Sequence, residues 1–226
     1  PWQKACWCIP EASSKFVAKM EDVLDVYARP LDEKRPIVCV DEGRKELRST
    51  PREGMPMKAG RIKREDYEYE RHGAANIFMA FEPLVGKRKL KVTPTRTSID
   101  FAQFVRELLD IHYPQAETLV LITDNLNTHT MAAFYEAFEP AEARRLLQRI
   151  EWHFTPEHGS WLNAAEIELA AFASQCLNRR IESQTLLTAE ALAWQDKRNA
   201  APVKVNWQFT TADARIKLRH LYPRLQ

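Results

Sequence analysis

The sequence predicts an α/β protein, a mixed five-stranded sheet flanked by helices. Three observations carry that prediction. Two short, continuous apolar runs, 36–41 (PIVCVD) and 117–124 (ETLVLITD), each end in an acid, as strands covered on both faces do. Segments with apolar residues three and four apart alternate with such runs, the pattern of helices laid on a sheet. The 226 residues, 45% hydrophobic and 28% charged, suffice for one domain with an appendage and a real core, which argues against a disordered chain.

Taken in order, residues 14–27 form an amphipathic helix, with Phe16, Val17, Met20, Val23, Leu24 and Tyr27 on one side. A proline-bounded connector, 28–36, closes a lead-in segment over residues 1–35. The main domain, 36–226, opens with the strand ending at Asp41. Residues 43–66, with Pro51, Gly54, Pro56 and Gly60 among basic side chains, read as an extended loop. Strands near 74–82 and 89–95 follow, with a turn at 83–86. Then come a helix over 98–112, the strand ending at Asp124, helices near 129–138 and 140–149, a strand at 150–154, and helices at 161–179 and 186–199. No internal repeat interrupts this order.

Lysine plus arginine (33) exceeds aspartate plus glutamate (31) by only two, so bulk charge says little about partners. Distribution says more. Eight basic residues lie between Arg44 and Arg64, among them Arg61, Lys63 and Arg64. Lys87, Arg88, Lys89 and Lys91 form a second cluster. Such clusters suit a polyanion, although a charge run is more often a solvated loop. Cys39 and Cys176 sit in apolar surroundings and read as core. Cys6 and Cys8 lack a second pair at zinc-ligand spacing. The expectation is a reduced, cytoplasmic chain, with no stretch of roughly 18 apolar residues to span a membrane.

Two acids ending two buried strands are hard to explain as loop caps, because charges there must be paired or bind metal. A third acid comes from the segment 159–168 (GSWLNAAEIE). At roughly 100° per residue, Glu166 borders the apolar side defined by Leu162, Ala165, Leu169, Phe172, Ala173 and Cys176. Glu168 lies about 160° away from Glu166 and is expected to face solvent. Asn163, one turn before Glu166, shares its edge. Carboxylates from two strand ends and one helix can hold two divalent ions, magnesium or manganese, and such a pair can clamp both oxygens of a phosphodiester displacement. Around the acids, Glu42 is either a supporting group or the partner of an arginine, Asn125 can orient Asp124, and His129 can approach the metals or a phosphate. Trp152 and Trp161 read as core, and His153 and His158 as structural or substrate-touching residues.

The motifs 40–42 (VDE), 123–129 (TDNLNTH) and 161–166 (WLNAAE) occur in the order found in the DDE transposases of bacterial insertion sequences. More narrowly they resemble the insertion-sequence family "six-thirty", a branch of the mariner superfamily. The resemblance spans roughly residues 2–223, including 67–69 (YEY), 76–83 (NIFMAFEP) and 209–215 (FTTADAR). It implies a ribonuclease-H-like catalytic domain with Asp41, Asp124 and Glu166 as catalytic metal ligands. It also implies double-stranded DNA as partner and cut-and-paste movement of an element in the bacterial cytoplasm, at the nucleoid. A homodimer is expected, because two element ends are processed together. The family's amino-terminal helix-turn-helix modules are absent from this sequence. Two other readings stand beside this one: a catalytically silent DNA-binding remnant, and another ribonuclease-H-like nuclease.

Overall fold

A computed structural model describes residues 13–223 apart from Glu53, Glu65 and Asn125. Cys6, Cys8 and the proposed role of Asn125 therefore lie outside the described residues. The strands are β1 (Ile37–Ser49), β2 (Glu70–Glu82), β3 (Lys87–Thr93), β4 (Leu119–Thr123) and β5 (Ile150–Phe154). They form one five-stranded sheet in the order β3-β2-β1-β4-β5. β1 pairs antiparallel with β2 and β2 with β3, whereas β1–β4 and β4–β5 are parallel. The sheet is mixed, as expected.

Alternating strand residues feed two apolar layers. Cys39, Ile77, Met79, Phe81, Val120 and Ile122 point to one face. There they meet α1 (Ser14–Tyr27), α5 (Ala164–Gln175), α6 (Gln184–Ala200) and α7 (Thr211–Lys217). Val38, Val40, Phe78, Ala80, Leu119 and Leu121 point to the other. That face is covered by α2 (Ser98–Glu107), α3 (Ala132–Ala137) and α4 (Pro140–Leu147). Helix α1 supplies Met20, Val23, Leu24 and Val26 to the first layer, each essentially inaccessible. The lead-in helix is thus continuous with the core of the main domain.

Three expectations are corrected here. The segment from 43 is not loop at its start, because β1 runs on to Ser49 against the beginning of β2. Its polar residues gave no apolar alternation to read, since this half of the strand is a two-stranded ribbon with only Leu47 buried. Residues 108–112 leave the α2 helix and close as a wider π turn, with Tyr113 N–H donating to Leu108 O. A helix not expected from apolar spacing, α7, begins at a reciprocal cap in which Thr210 and Asp213 satisfy each other's backbone amides.

Between β1 and β2 the chain forms an exposed, self-paired ribbon. Met55 and Arg64 exchange backbone hydrogen bonds of 2.8 and 3.0 Å, and Lys58 and Arg61 exchange bonds of 3.1 and 2.9 Å. Gly60 turns it with φ 74, a left-handed conformation that glycine adopts without strain. No helix among the described residues is long and apolar enough to cross a membrane.

Candidate active site

The first two acids are set by strand register. β1 and β4 pair Ile37 with Val120, Val38 with Leu121 and Cys39 with Ile122. The same offset, carried two residues further, puts Asp41 level with Asp124 on neighbouring strands, which run about 4.8 Å apart. Asp124 therefore follows the carboxyl end of β4, and Asp41 lies within β1 just past its parallel pairing with β4, the edge at which open sheets collect their functional groups.

The third acid is tied to the first by Asn163. This residue caps α5, its Oδ1 accepting from Ala165 N–H at 3.1 Å. Its Nδ2 donates to Val40 O at 2.9 Å, the carbonyl immediately before Asp41. One buried amide thus links the backbone that carries Asp41 to the first turn of the helix that carries Glu166. Tyr27 fixes the same junction from α1. Its hydroxyl donates to Leu162 O at 2.7 Å and accepts from Ala164 N–H at 3.1 Å, while its ring stacks on Trp207 at 4.5 Å. Nothing in the sequence marks Tyr27 beyond its place on an apolar helix face.

Replacing Asn163 by Ala is expected to remove a cap, about 1 kcal/mol, and to orphan a buried carbonyl, about 1–3 kcal/mol. In a chain of this size that lowers the melting temperature by roughly 4–16 °C. Calorimetry checks it, with Asn163→Asp, which keeps the cap and loses the amide donor, falling between.

Asp41 is half-buried, and its Oδ1 accepts from Glu42 N–H at 2.7 Å. Burial pushes its carboxyl up. The Glu42 amide opposes that, but the charges of Asp124 and Glu166 add to it and carry the value to about 7. His129 is the main partner of this cluster. Its Nδ1 lies 2.5 Å from Asp124 Oδ1 and 2.9 Å from Thr123 Oγ1, and its Nε2 lies 2.9 Å from Glu42 Oε1. Its ring packs 4.3 Å from that of Phe101. Burial pushes the imidazole down, but the two carboxylates outweigh it and raise the value to about 9. The Glu42 side chain is almost inaccessible, held between His129 and Arg96, whose Nη1 is 4.0 Å from Oε2. It pairs with His129 and with Arg96 at once.

Glu168 corrects the sequence reading outright. It does not face solvent: it is 3% exposed and ion-paired with Arg88 and Arg198. The buried face of α5 comprises Ala164, Ala165, Glu168 and Phe172, not Ala173, which is exposed. Alanines on nearly every side leave no apolar stripe to read, and a second layer, α6, covers the side that would otherwise be wet. Arg88 is accordingly withdrawn from the second basic cluster, and Lys91 is engaged by Glu107 at 2.5 Å. Trp161 is exposed rather than core, edge-on to Phe209 at 6.1 Å. Trp152 is half-buried among Phe101, Phe134 and Phe154. His153 is buried and tied to Asp22 and Glu151, whereas His158 is exposed.

Arg61, Lys63 and Arg64 are exposed on the ribbon and are not brought to the acids. Lys63 lines an open cleft of about 780 Å³ at the ribbon base with Arg48, Arg52, Arg179 and Arg180. Extended strand separates Asp41 from Arg48, about 23 Å at ~3.3 Å per residue.

The donor set fits a hard divalent cation: three carboxylates, all oxygen, close enough that burial and their mutual repulsion together raise Asp41 to about 7. The ligand sphere is not closed as it stands. Among the described residues no three acidic, histidine or cysteine side chains are gathered as the ligands of one ion, and Asp124 is turned to His129.

A mixed sheet in this strand order, helices on both faces and acids level with each other on adjacent strands define a ribonuclease-H-like domain. Residues 36–188 match the DDE superfamily endonucleases, and the chain belongs to that family. Solved structures of similar fold include "Crystal structure of the Mos1 Strand Transfer Complex", at 16% identity over 96% of this chain and 63% of that one, TM-score 0.55. "Mos1 transposase paired-end complex with left transposon end" matches at 17% identity over 96% and 64%, TM-score 0.54. "Crystal structure of the Mos1 mariner paired end complex with Mn" matches at 15% identity over 97% and 63%, TM-score 0.53. At these identities the likeness is one of fold, and this chain spans less than two thirds of those proteins. No curated protein matches the chain.

Proposed function

We propose that residues 36–226, with α1 as part of their core, form the catalytic domain of a DNA transposase of the insertion-sequence family "six-thirty". The reaction is hydrolysis of DNA strands at element ends, followed by attack of the freed 3′-hydroxyl on target DNA. The carrying observation is the placement of Asp41 level with Asp124, with Glu166 tethered to the same strand through Asn163. Family membership and the fold shared with complexes described as strand-transfer and paired-end assemblies support the reading.

Asp41, Asp124 and Glu166 would hold two divalent ions, magnesium or manganese, the latter present in one structure of similar fold. Bound there, the ions supply a polarised phosphate and a water of lowered pKa. The remaining work falls to the chain. The Asn163 tether keeps the carboxylates at one spacing. His129 neutralises Asp124 and Glu42, so that three neighbouring acids do not drive one another apart. The cations of the ribbon, Arg61, Lys63 and Arg64, steady the phosphate backbone of the duplex. Two copies would act together, one at each element end, in the bacterial cytoplasm beside the nucleoid.

The test is a substrate panel. In magnesium the chain should nick supercoiled duplex DNA and leave an RNA–DNA hybrid intact. Cleavage of the hybrid alone would move the assignment to another ribonuclease-H-like nuclease. Duplex binding with no nicking in either metal would favour a silent remnant.

A further inference from the structure

Helix α5 carries Glu166 toward the acids and Glu168 into the protein; fully buried Phe172 fixes the far end of the helix, but around Glu166 the buried face offers only Ala164 and Ala165 beside Glu168. Ile167 is 48% exposed and Leu169 is only half-buried, whereas Glu168, between them, is 3% exposed. In the turn that carries Glu166, apolar burial would favour a rotation of about 100° that puts Ile167 or Leu169 where Glu168 sits. Either turn would carry Glu166 off the Asp41 side.

What opposes that turn is a pair of arginines. The side chain of Arg88, on β3, is fully inaccessible, and its Nε is 2.9 Å from Glu168 Oε2. Arg198, on α6, places Nη2 3.0 and 3.3 Å from the two carboxylate oxygens. Arg88 is itself held. Asn199 accepts from its backbone N–H at 3.0 Å and donates to its carbonyl at 2.9 Å, and its guanidinium lies 5.2 Å from the Phe81 ring centre. Nε, Nη1 and Nη2 of Arg88 all lack a hydrogen bond of good geometry among the described residues, so its contact with Glu168 is an ion pair. A buried pair satisfied this incompletely adds little net stability, because desolvation offsets its attraction. It does fix one geometry.

We propose that Arg88 and Arg198, acting on Glu168, form a rotational latch that sets the direction of Glu166. Arg88 and Glu168 are positioning residues for the metal centre. The inference rests on the reading of Glu166 as a metal ligand.

The test is Mn2+ binding by the wild-type chain and three variants, followed by electron paramagnetic resonance of the free ion, with melting temperature and duplex affinity measured beside it. Glu166→Gln tests the ligand reading and should lose affinity. If it does not, that reading falls whatever the latch does. Arg88→Met leaves Glu168 without its buried partner. It should weaken Mn2+ binding by about 10–100-fold, the usual effect of losing an outer-shell support, with duplex affinity unchanged. Arg88→Met/Glu168→Leu makes the site apolar and keeps residue 168 on the buried face. It should fold and recover Mn2+ affinity to within about threefold of wild type, a small part of that outer-shell range. The latch is overturned if Arg88→Met binds Mn2+ as wild type does. It is equally overturned if the folded double variant stays as weak as the single one, or if the double variant cannot fold, since the pair would then be a stability element.

Discussion

Asp41→Asn is expected to make the metal-free protein more stable at pH 8 and to stop it nicking DNA. The two effects share one cause. At that pH the Asp41 carboxyl, pushed up to about 7 by burial and by Asp124 and Glu166, is ionised against its surroundings. An amide keeps the oxygen that accepts from Glu42 N–H and removes the charge. The melting temperature in EDTA should rise by a few degrees, because each kcal/mol is worth about 2–4 °C in a chain of this size. Nicking in magnesium should fall by about 10³-fold or more. Losing a ligand that positions the ions forfeits several kcal/mol of charge stabilisation, and each 1.36 kcal/mol is tenfold in rate. Loss of activity with an equal loss of stability would mark Asp41 as a structural residue.

Without metal, the melting temperature should fall steadily from pH 5 to pH 9, and magnesium should restore most of the loss at the alkaline end. Asp41 has its folded value raised from 3.8 to about 7. The folded chain therefore keeps a proton that the unfolded chain gives up, and stability declines as pH rises from about 4 through 7. His129 is raised from 6.5 to about 9, so its contribution is complete below 6.5 and is lost as pH rises through 9. The two slopes have the same sign and follow one another. Glu151 and Asp213, lowered to about 2, act in the opposite direction below about pH 4.5, and His112, lowered by burial, does so below about 6.5. A divalent ion binds the ionised carboxylates, so the added melting temperature should be small at pH 5 and largest near pH 8. Calorimetry in EDTA and in magnesium across that range reads it. A flat profile in EDTA would show that the acids do not repel one another in the folded chain.

Much of the fold was legible because burial on both faces leaves uninterrupted apolar runs, as in β4 and in the first half of β1. The same signal is silent where a strand leaves the core. Arg44 to Ser49 are ordered by backbone pairing with β2, which side-chain chemistry does not announce. Strand order was not legible either, since it depends on which runs lie side by side. In the site, Asp41 and Asp124 could be picked out because an acid closing an apolar run is conspicuous. Glu166 and Glu168 could be separated by helical geometry. The one expected to face solvent, Glu168, is the one the protein buries, because its partners Arg88 and Arg198 are distant in sequence and sit among basic or polar neighbours. His129 is recognisable as a residue near Asp124, but its grip on Glu42 depends on a strand contributed 87 residues earlier.

Helix α6 has one more consequence, at the sheet's outer margin. β3 is a terminal strand, and its amides would ordinarily invite a strand from another chain. Gln195 accepts from Leu90 N–H at 2.8 Å, and Asn199 engages both backbone groups of Arg88. Two side-chain amides of a helix thus stand in for the missing neighbour along this margin. Copies of the chain brought close together are therefore denied the simplest route to sticking irreversibly, the stitching of one sheet onto the next at β3.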